Sequence, residues 1–293
     1  MRHVLTLIAA GPDHRLPGLA AMICKTLRVA AEPVWLAAEQ ACDLILDIAE
    51  PGNIEEAVRA LIGEAPVDSV LQPVAGRRRR LLAADLESTI IENEMLDELG
   101  SMLGLGSEIA DITRRAMNGE IDFAEALSAR VALLAGTKDT VLNEAATRIR
   151  LRPGAASLVA TMRRSGAGTA LVTGGFTVFA DRVGAELGFD RVIANRLEIT
   201  DGIVTGRVLS PIVTGETKRQ ALLAYAAELA IAPAATLAVG DGANDLPMLN
   251  AAGLGIAFRA KPAVAAVART CLNHADLTGL LFAQGYRKTE FAA

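Results

Sequence analysis

The sequence predicts an α/β protein in which a small α+β unit precedes a parallel sheet covered by helices, with a run of helices inserted after that sheet's first strand. Three observations carry this. Residues 81–84, 169–172 and 235–239 are short apolar runs without alternation, as expected of strands buried on both faces, and each breaks off into a polar or glycine-rich string. Residues 92–149 hold helical periodicity and no strand pattern. Residues 4–71 change period in the order β-α-β-β-α-β, the split βαβ or ferredoxin-like pattern.

Composition agrees with a packed core. The 293 residues are 52% hydrophobic and 22% charged, which excludes general disorder. A net charge of −5 argues against a nucleic-acid partner, which calls for a basic face. Cys24, Cys42 and Cys271 are odd in number and far apart, so neither a disulfide framework nor a cysteine zinc site is expected, and a reducing compartment fits. His3, His14 and His274 share no ligand pattern. Residues 4–10 make a poor signal peptide, and the apolar stretch 221–240 is interrupted by Glu228 and Pro233, so a cytoplasmic protein without a membrane partner is expected.

In chain order, residues 4–9 read as a strand, 16–27 as a helix, 34–36 and 44–48 as strands, 54–62 as a helix after the turn Pro51-Gly52-Asn53, and 67–71 as a strand. Pro73-Val74-Ala75-Gly76 marks a join. The basic block Arg77 to Arg80 reads as a solvated lead-in to a strand or an interdomain hinge, with phosphate steering as the alternative. Helices follow over 95–103, 109–117, 123–134 and 141–149, punctuated by Gly104, Gly106, Gly119 and Gly136. Further on, 191–193 is a strand, and 196–208 alternates around Asp201-Gly202, a hairpin signal.

Chemistry gathers at the strand ends. Residues 81–84 end in Asp85-Leu86-Glu87-Ser88-Thr89, placing two carboxylates where open α/β sheets hold ligands. The run at 169–172 ends in Thr173-Gly174-Gly175-Phe176-Thr177, a hydroxyl followed by glycines that bring backbone N–H groups close to an anion. The run at 235–239 ends in Gly240-Asp241-Gly242-Ala243-Asn244-Asp245, and Lys218 follows Gly215-Glu216-Thr217 between them. A lysine, a hydroxyl and a glycine nest neutralise a phosphoryl group, while several carboxylates hold Mg²⁺.

These strings, with Glu94, Phe123 and Arg130 and the closing segment Asp276-Leu277-Thr278-Gly279 to Gln284-Gly285-Tyr286, resemble the phosphoserine phosphatases of the haloacid dehalogenase superfamily, in the longer bacterial form with an added N-terminal domain. The resemblance covers about 81–286. It implies a Rossmann-like core over 76–91 and 150–293, a helical cap over 92–149, and an ACT-like, ferredoxin-like domain over 1–75 that is regulatory or forms a homodimer.

The resemblance also implies Mg²⁺-dependent hydrolysis of O-phospho-L-serine to L-serine and phosphate, the last step of serine biosynthesis. Asp85 would be the nucleophile that becomes an aspartyl phosphate, and Glu87 the general acid and base. Asp85, the backbone carbonyl of Glu87 and Asp241 would hold Mg²⁺, with Asn244 and Asp245 supporting that end of the site. Thr173, the Gly174 N–H, Lys218 and Asn244 would bind substrate at the phosphoryl end. Glu94 would take the substrate ammonium, Arg130 its carboxylate, and Met117 and Phe123 would form an apolar wall. Glu87 departs from the family, which has aspartate there, and retained catalysis is expected. The alternatives are a phosphatase or phosphotransferase for a related amino-acid or small-metabolite phosphate, and a phospholigand sensor.

Overall fold

The computed structural model describes residues 2–29, 32–48, 52–117 and 120–292. Pro51 of the predicted turn and Gly119 of the predicted helix boundary lie outside them, as does the side chain of Met117. The chain opens with β1 (His3–Ala9), α1 (Leu16–Leu27), β2 (Val34–Ala37), β3 (Ala41–Leu46), α2 (Ile54–Ile62) and β4 (Val67–Pro73). The four strands form an antiparallel sheet in the order β2-β3-β1-β4. Strand β1 is buried along its whole length because its two faces meet different cores. Leu5, Leu7 and Ala9 pack with Leu16, Ala20 and Ile23 of α1 and with Val58 of α2, while Ile8 joins the large core of the rest of the chain.

The second sheet is built from β5 (Leu81–Ala84), then, beyond the helices α3 (Met95–Leu103), α4 (Gly106–Met117), α5 (Phe123–Ala132), α6 (Asp139–Ala146) and α7 (Ala155–Arg164), from β6 (Gly168–Phe176). There follow α8 (Thr177–Leu187), β7 (Arg191–Thr200), β8 (Ile203–Leu209), α9 (Gly215–Glu228), β9 (Thr236–Gly240), α10 (Leu246–Ala251), β10 (Leu254–Phe258), α11 (Pro262–Ala265), β11 (Cys271–Leu272) and α12 (Gly279–Ala283). The strand order is β11-β10-β9-β5-β6-β7-β8, so the three motif-bearing strands β9, β5 and β6 are adjacent at the centre. The sheet is mixed: β8 turns back antiparallel on β7, and the other pairings are parallel.

Both faces of β5 are buried, as its unbroken apolar run predicts. Leu82 and Ala84 join the core containing Leu158 and Met162 of α7, and Leu81 and Ala83 join the core containing Leu222 of α9 and Met248 of α10. At the β7–β8 turn, Asp201 (φ 50°) and Gly202 (φ 75°) are both left-handed, the backbone that a two-residue hairpin requires. The ribbon braces the inserted helices: Gly136 N–H donates to Val204 O at 2.9 Å, and Val204 N–H donates to Thr137 O at 2.8 Å. Among the described residues no helix is long and apolar enough to cross a membrane.

The basic block is only partly solvated, with Arg78 and Arg80 exposed, and it is an interdomain join and no phosphate guide. Arg77 pairs with the buried Asp43 of β3 at 2.6 Å, Arg78 stacks 4.1 Å from the Tyr286 ring centroid, and Arg79 donates to Gln72 Oε1 at 2.7 Å and Ala234 O at 2.5 Å. These arginines precede β5, whereas Asp85 follows it, so they face away from the motif end of the sheet. They tie the two sheets together instead. Asp68 of β4 does the same, accepting the backbone N–H groups of Asn273 at 2.7 Å and Ala275 at 2.9 Å. Charge in this segment predicts exposure, but a buried carboxylate on another sheet changes the balance by supplying a charged hydrogen-bond partner.

Candidate active site

The parallel strands deliver their motifs to one edge. Asp85 continues the β5 ladder by donating its N–H to Val239 O at 3.0 Å, and the chain then makes a wide turn closed by Ile91 N–H to Leu86 O at 2.9 Å. Ser88 adopts a left-handed backbone (φ 54°) inside that turn, a conformation costly for a non-glycine residue and held here by tertiary contacts such as Arg152 Nε to Ser88 O at 3.0 Å. The turn aims Glu87 and Ser88 into the same cavity as Asp85. That cavity, of about 440 Å³, is also lined by Glu94, Phe123, Arg130, Thr173, Gly174, Asp241 and Asn244. Lys218 and Asp245 lie fully buried beneath it. Of the predicted site residues, only Met117 is not placed, since its side chain is outside the described residues.

Lys218 is the electrostatic centre of the floor. Its Nζ lies 2.7 Å from Asp245 Oδ1 and 2.7 Å from Asp85 Oδ1. Burial disfavours its charge, but Asp245 and Asp85 more than offset this and hold the amine above the ordinary lysine range. Asp245 also accepts the Gly242 N–H at 3.0 Å, and Asp241 accepts from Thr89 Oγ1 at 3.2 Å.

One lysine does not balance this cluster. Oxygens of Asp85, Asp241 and Asp245 all lie within 4.8 Å of one another, and all three residues are buried. Burial, with Asp85 and Asp245 as neighbours, pushes Asp241 up to about 7, and burial with Asp85 pushes Asp245 up to about 6. Asp85 Oδ1 is buried, and its close neighbour is the Lys218 amine, which it shares with Asp245. Three hard oxygen donors so close together fit a divalent cation of the Mg²⁺ class. Adding Mg²⁺ to chelator-treated protein is expected to raise the melting temperature, by the equivalent of about 2.7 kcal/mol at a hundred times the dissociation constant. Asp241→Asn should remove most of that shift; calorimetry with and without metal checks both.

Glu87 reaches across the cavity. Its Oε1 accepts the Met95 N–H at the start of α3 at 2.9 Å. Burial, then Glu94 and Asp85, push it up to about 8. Glu94 accepts from Ser88 Oγ at 2.7 Å and is raised chiefly by burial. Arg130 donates from Nε to Ala126 O of its own helix at 3.3 Å, and among the described residues it makes no ion pair. The inserted helices lie against the sheet end, since a Cβ on Gly174 would come within 3.2 Å of the Phe123 ring.

Three residues with no assigned role enter the site. Asn195 of β7 donates from Nδ2 to Gly174 O at 2.7 Å and accepts the Val213 N–H at 2.8 Å, fixing the glycine loop from the neighbouring strand. Thr89, four residues after Asp85, donates to Asp241. Lys261 lines the cavity and eases the charge on Glu94 and Asp241. Nothing local marks Asn195 or Lys261; only strand adjacency brings them in.

The family model for haloacid dehalogenase-like hydrolases matches residues 82–250. A phosphoserine phosphatase of Mycobacterium tuberculosis is 42% identical over 244 residues, covering 83% of this chain and 60% of its own length. The matched region is 53% of the length of a Streptomyces coelicolor phosphoserine phosphatase, so the chain spans little more than half of these two curated relatives. Among solved structures, a HAD family hydrolase from Salmonella enterica serovar Typhi superposes with a TM-score of 0.88 at 30% identity, over 96% of this chain and 97% of that one. A probable phosphoserine phosphatase from Vibrio cholerae gives a TM-score of 0.78 at 30% identity, over 99% and 88%.

Proposed function

The chain belongs to the haloacid dehalogenase-like hydrolases, and on that premise we propose that it hydrolyses O-phospho-L-serine to L-serine and phosphate with Mg²⁺. The observation that carries the substrate is the pairing of Glu94 and Arg130 in the cavity that holds Asp85. A carboxylate and a guanidinium that makes no ion pair among the described residues match the ammonium and carboxylate of an amino-acid head, with the phosphoester directed at the floor. Relatives named phosphoserine phosphatase, at 42% and 43% identity, support the same reading.

In this reading Asp85 attacks phosphorus and the P–O bond to the serine oxygen breaks, with Glu87 giving its proton to that oxygen. Glu87 then takes a proton from the water that attacks the aspartyl phosphate, releasing phosphate and restoring Asp85. Thr173, the Gly174 N–H, Asn244 and Lys218 hold the phosphoryl oxygens. Asp85, the Glu87 carbonyl and Asp241 would hold Mg²⁺, with Asp245 in support; the ion offsets repulsion between Asp85 and the phosphate dianion. Residues 92–149 act as a cap over a core of 76–91 and 150–293, with Met117 and Phe123 as apolar wall, and 1–75 form a regulatory or dimerising unit in the cytoplasm.

Glu87, with a longer arm than the aspartate of the family, favours a second reading in which another small phosphomonoester is the preferred substrate. Phosphate release from a panel of phosphorylated amino acids and metabolites decides between them. If phosphoserine is turned over no faster than phosphates lacking the amino-acid head, the first reading is wrong. Arg130→Ala should cut kcat/KM for phosphoserine about 10–100-fold, as expected for hydrogen bonds to a charged group, through KM, while leaving p-nitrophenyl phosphate nearly unaffected.

A further inference from the structure

Gly175 needs no left-handed backbone, so its lack of a side chain has another cause. A Cβ placed there would stand 2.9 Å from Glu87 Oε2, 3.0 Å from its Cδ and 3.2 Å from its Oε1, and these are its three nearest neighbours. The first group that a side chain at 175 would meet is therefore the Glu87 carboxyl. On its other side that carboxyl is pinned by the Met95 N–H, 2.9 Å from Oε1.

We infer that Gly175 is a positioning residue for Glu87: the missing side chain is the slot that lets a carboxyl one methylene longer than aspartate reach both the cavity and the Met95 amide. The inference rests on Glu87 serving as the acid and base of the proposed hydrolysis. Aspartate at 87 would end roughly one C–C bond, ~1.5 Å, short of this position and would leave the slot empty. A methyl group at 175 pushes the glutamate off Met95, out of line with the leaving oxygen, and has nothing to push against when aspartate is present. Gly175 also donates its backbone N–H to Thr173 Oγ1 at 2.9 Å, a bond that alanine at 175 can keep because it is made by the main chain.

The test is a double-mutant cycle in the full chain with Mg²⁺, comparing the parent, Gly175→Ala, Glu87→Asp and the double variant on O-phospho-L-serine and p-nitrophenyl phosphate. Gly175→Ala is expected to lower kcat about 100-fold, the order that a 1 Å misplacement costs, with KM little changed. In the Glu87→Asp background the same change should cost almost nothing, so the double variant matches Glu87→Asp. Equal losses in both backgrounds, or no loss in the parent background, overturn the inference. The Met95 amide resonance in ¹⁵N-labelled protein gives a readout independent of turnover. It should move upfield in Gly175→Ala as its carboxyl partner leaves, and an unmoved resonance overturns the inference even if neither ester is hydrolysed. A parent that ignores phosphoserine but hydrolyses p-nitrophenyl phosphate counts against the substrate reading alone, since the cycle still runs on the second ester.

Discussion

Asp85→Asn is expected to reduce turnover by about 10⁴-fold or more while the protein stays folded, because an amide of the same shape cannot form the aspartyl phosphate. The structure sharpens the stability half of this expectation. Asp85 is one of three clustered buried carboxylates and shares Lys218 with Asp245, and its charge raises both Asp241 and Asp245. Removing that charge relieves two repulsions, and Lys218 keeps its 2.7 Å contact with Asp245. The melting temperature in chelator should therefore equal or exceed that of the parent. Rapid-quench capture of labelled phosphate on the protein, present in the parent and absent in the variant, checks the chemistry. Parental turnover by the variant would sink Asp85 as nucleophile.

Lys218→Met has the largest expected effect on stability. Methionine fills much of the lysine volume but leaves the buried Asp85 and Asp245 without their ion-pair partner. Breaking a buried pair from one side costs about 3–5 kcal/mol, a fall in melting temperature of roughly 10 °C for a chain of this size. Mg²⁺ should recover much of this loss, since a divalent ion supplies the missing charge, whereas a packing defect would ignore the metal. Turnover with saturating Mg²⁺ should still fall about 10²–10³-fold through loss of one charged donor to the phosphoryl oxygens. Calorimetry in chelator and in Mg²⁺ separates the two effects. An unchanged melting temperature in chelator would mean that the carboxylates are already neutral and that the lysine is not their counter-charge.

Much of the fold is legible in the sequence because it is set by near neighbours. Periodicity alone places α1 over Leu16–Leu27, α2 over Ile54–Ile62 and α3 over Met95–Leu103, as the structure has them. Three apolar runs ending in carboxylates, hydroxyls and glycines mark strands whose ends converge, and those strands are adjacent in the sheet. Asp85, Thr173 and Asp241 are legible for the same reason: each is the residue at which a buried strand stops or turns.

What remained illegible depends on partners that are distant in the chain. Arg77, Arg78 and Arg79 read as solvated charge, yet their partners include Asp43, Tyr286 and Ala234, which only the packing of one sheet on the other brings within reach. Asn195 belongs to a strand with no chemical motif and orients Gly174 only because β7 lies beside β6. The space that Gly175 leaves for Glu87 is likewise a property of the end of β6 and the turn after the adjacent β5 together, and of neither alone. Spacing along the chain is enough to say which apolar runs are buried, where strands β5 and β9 end and which chemical groups stand there, since apolar burial and local backbone preference are written in it. Tertiary structure alone decided which charges neutralise one another, because Coulomb attraction and hydrogen bonding act over a few ångströms of space with no regard for separation along the chain.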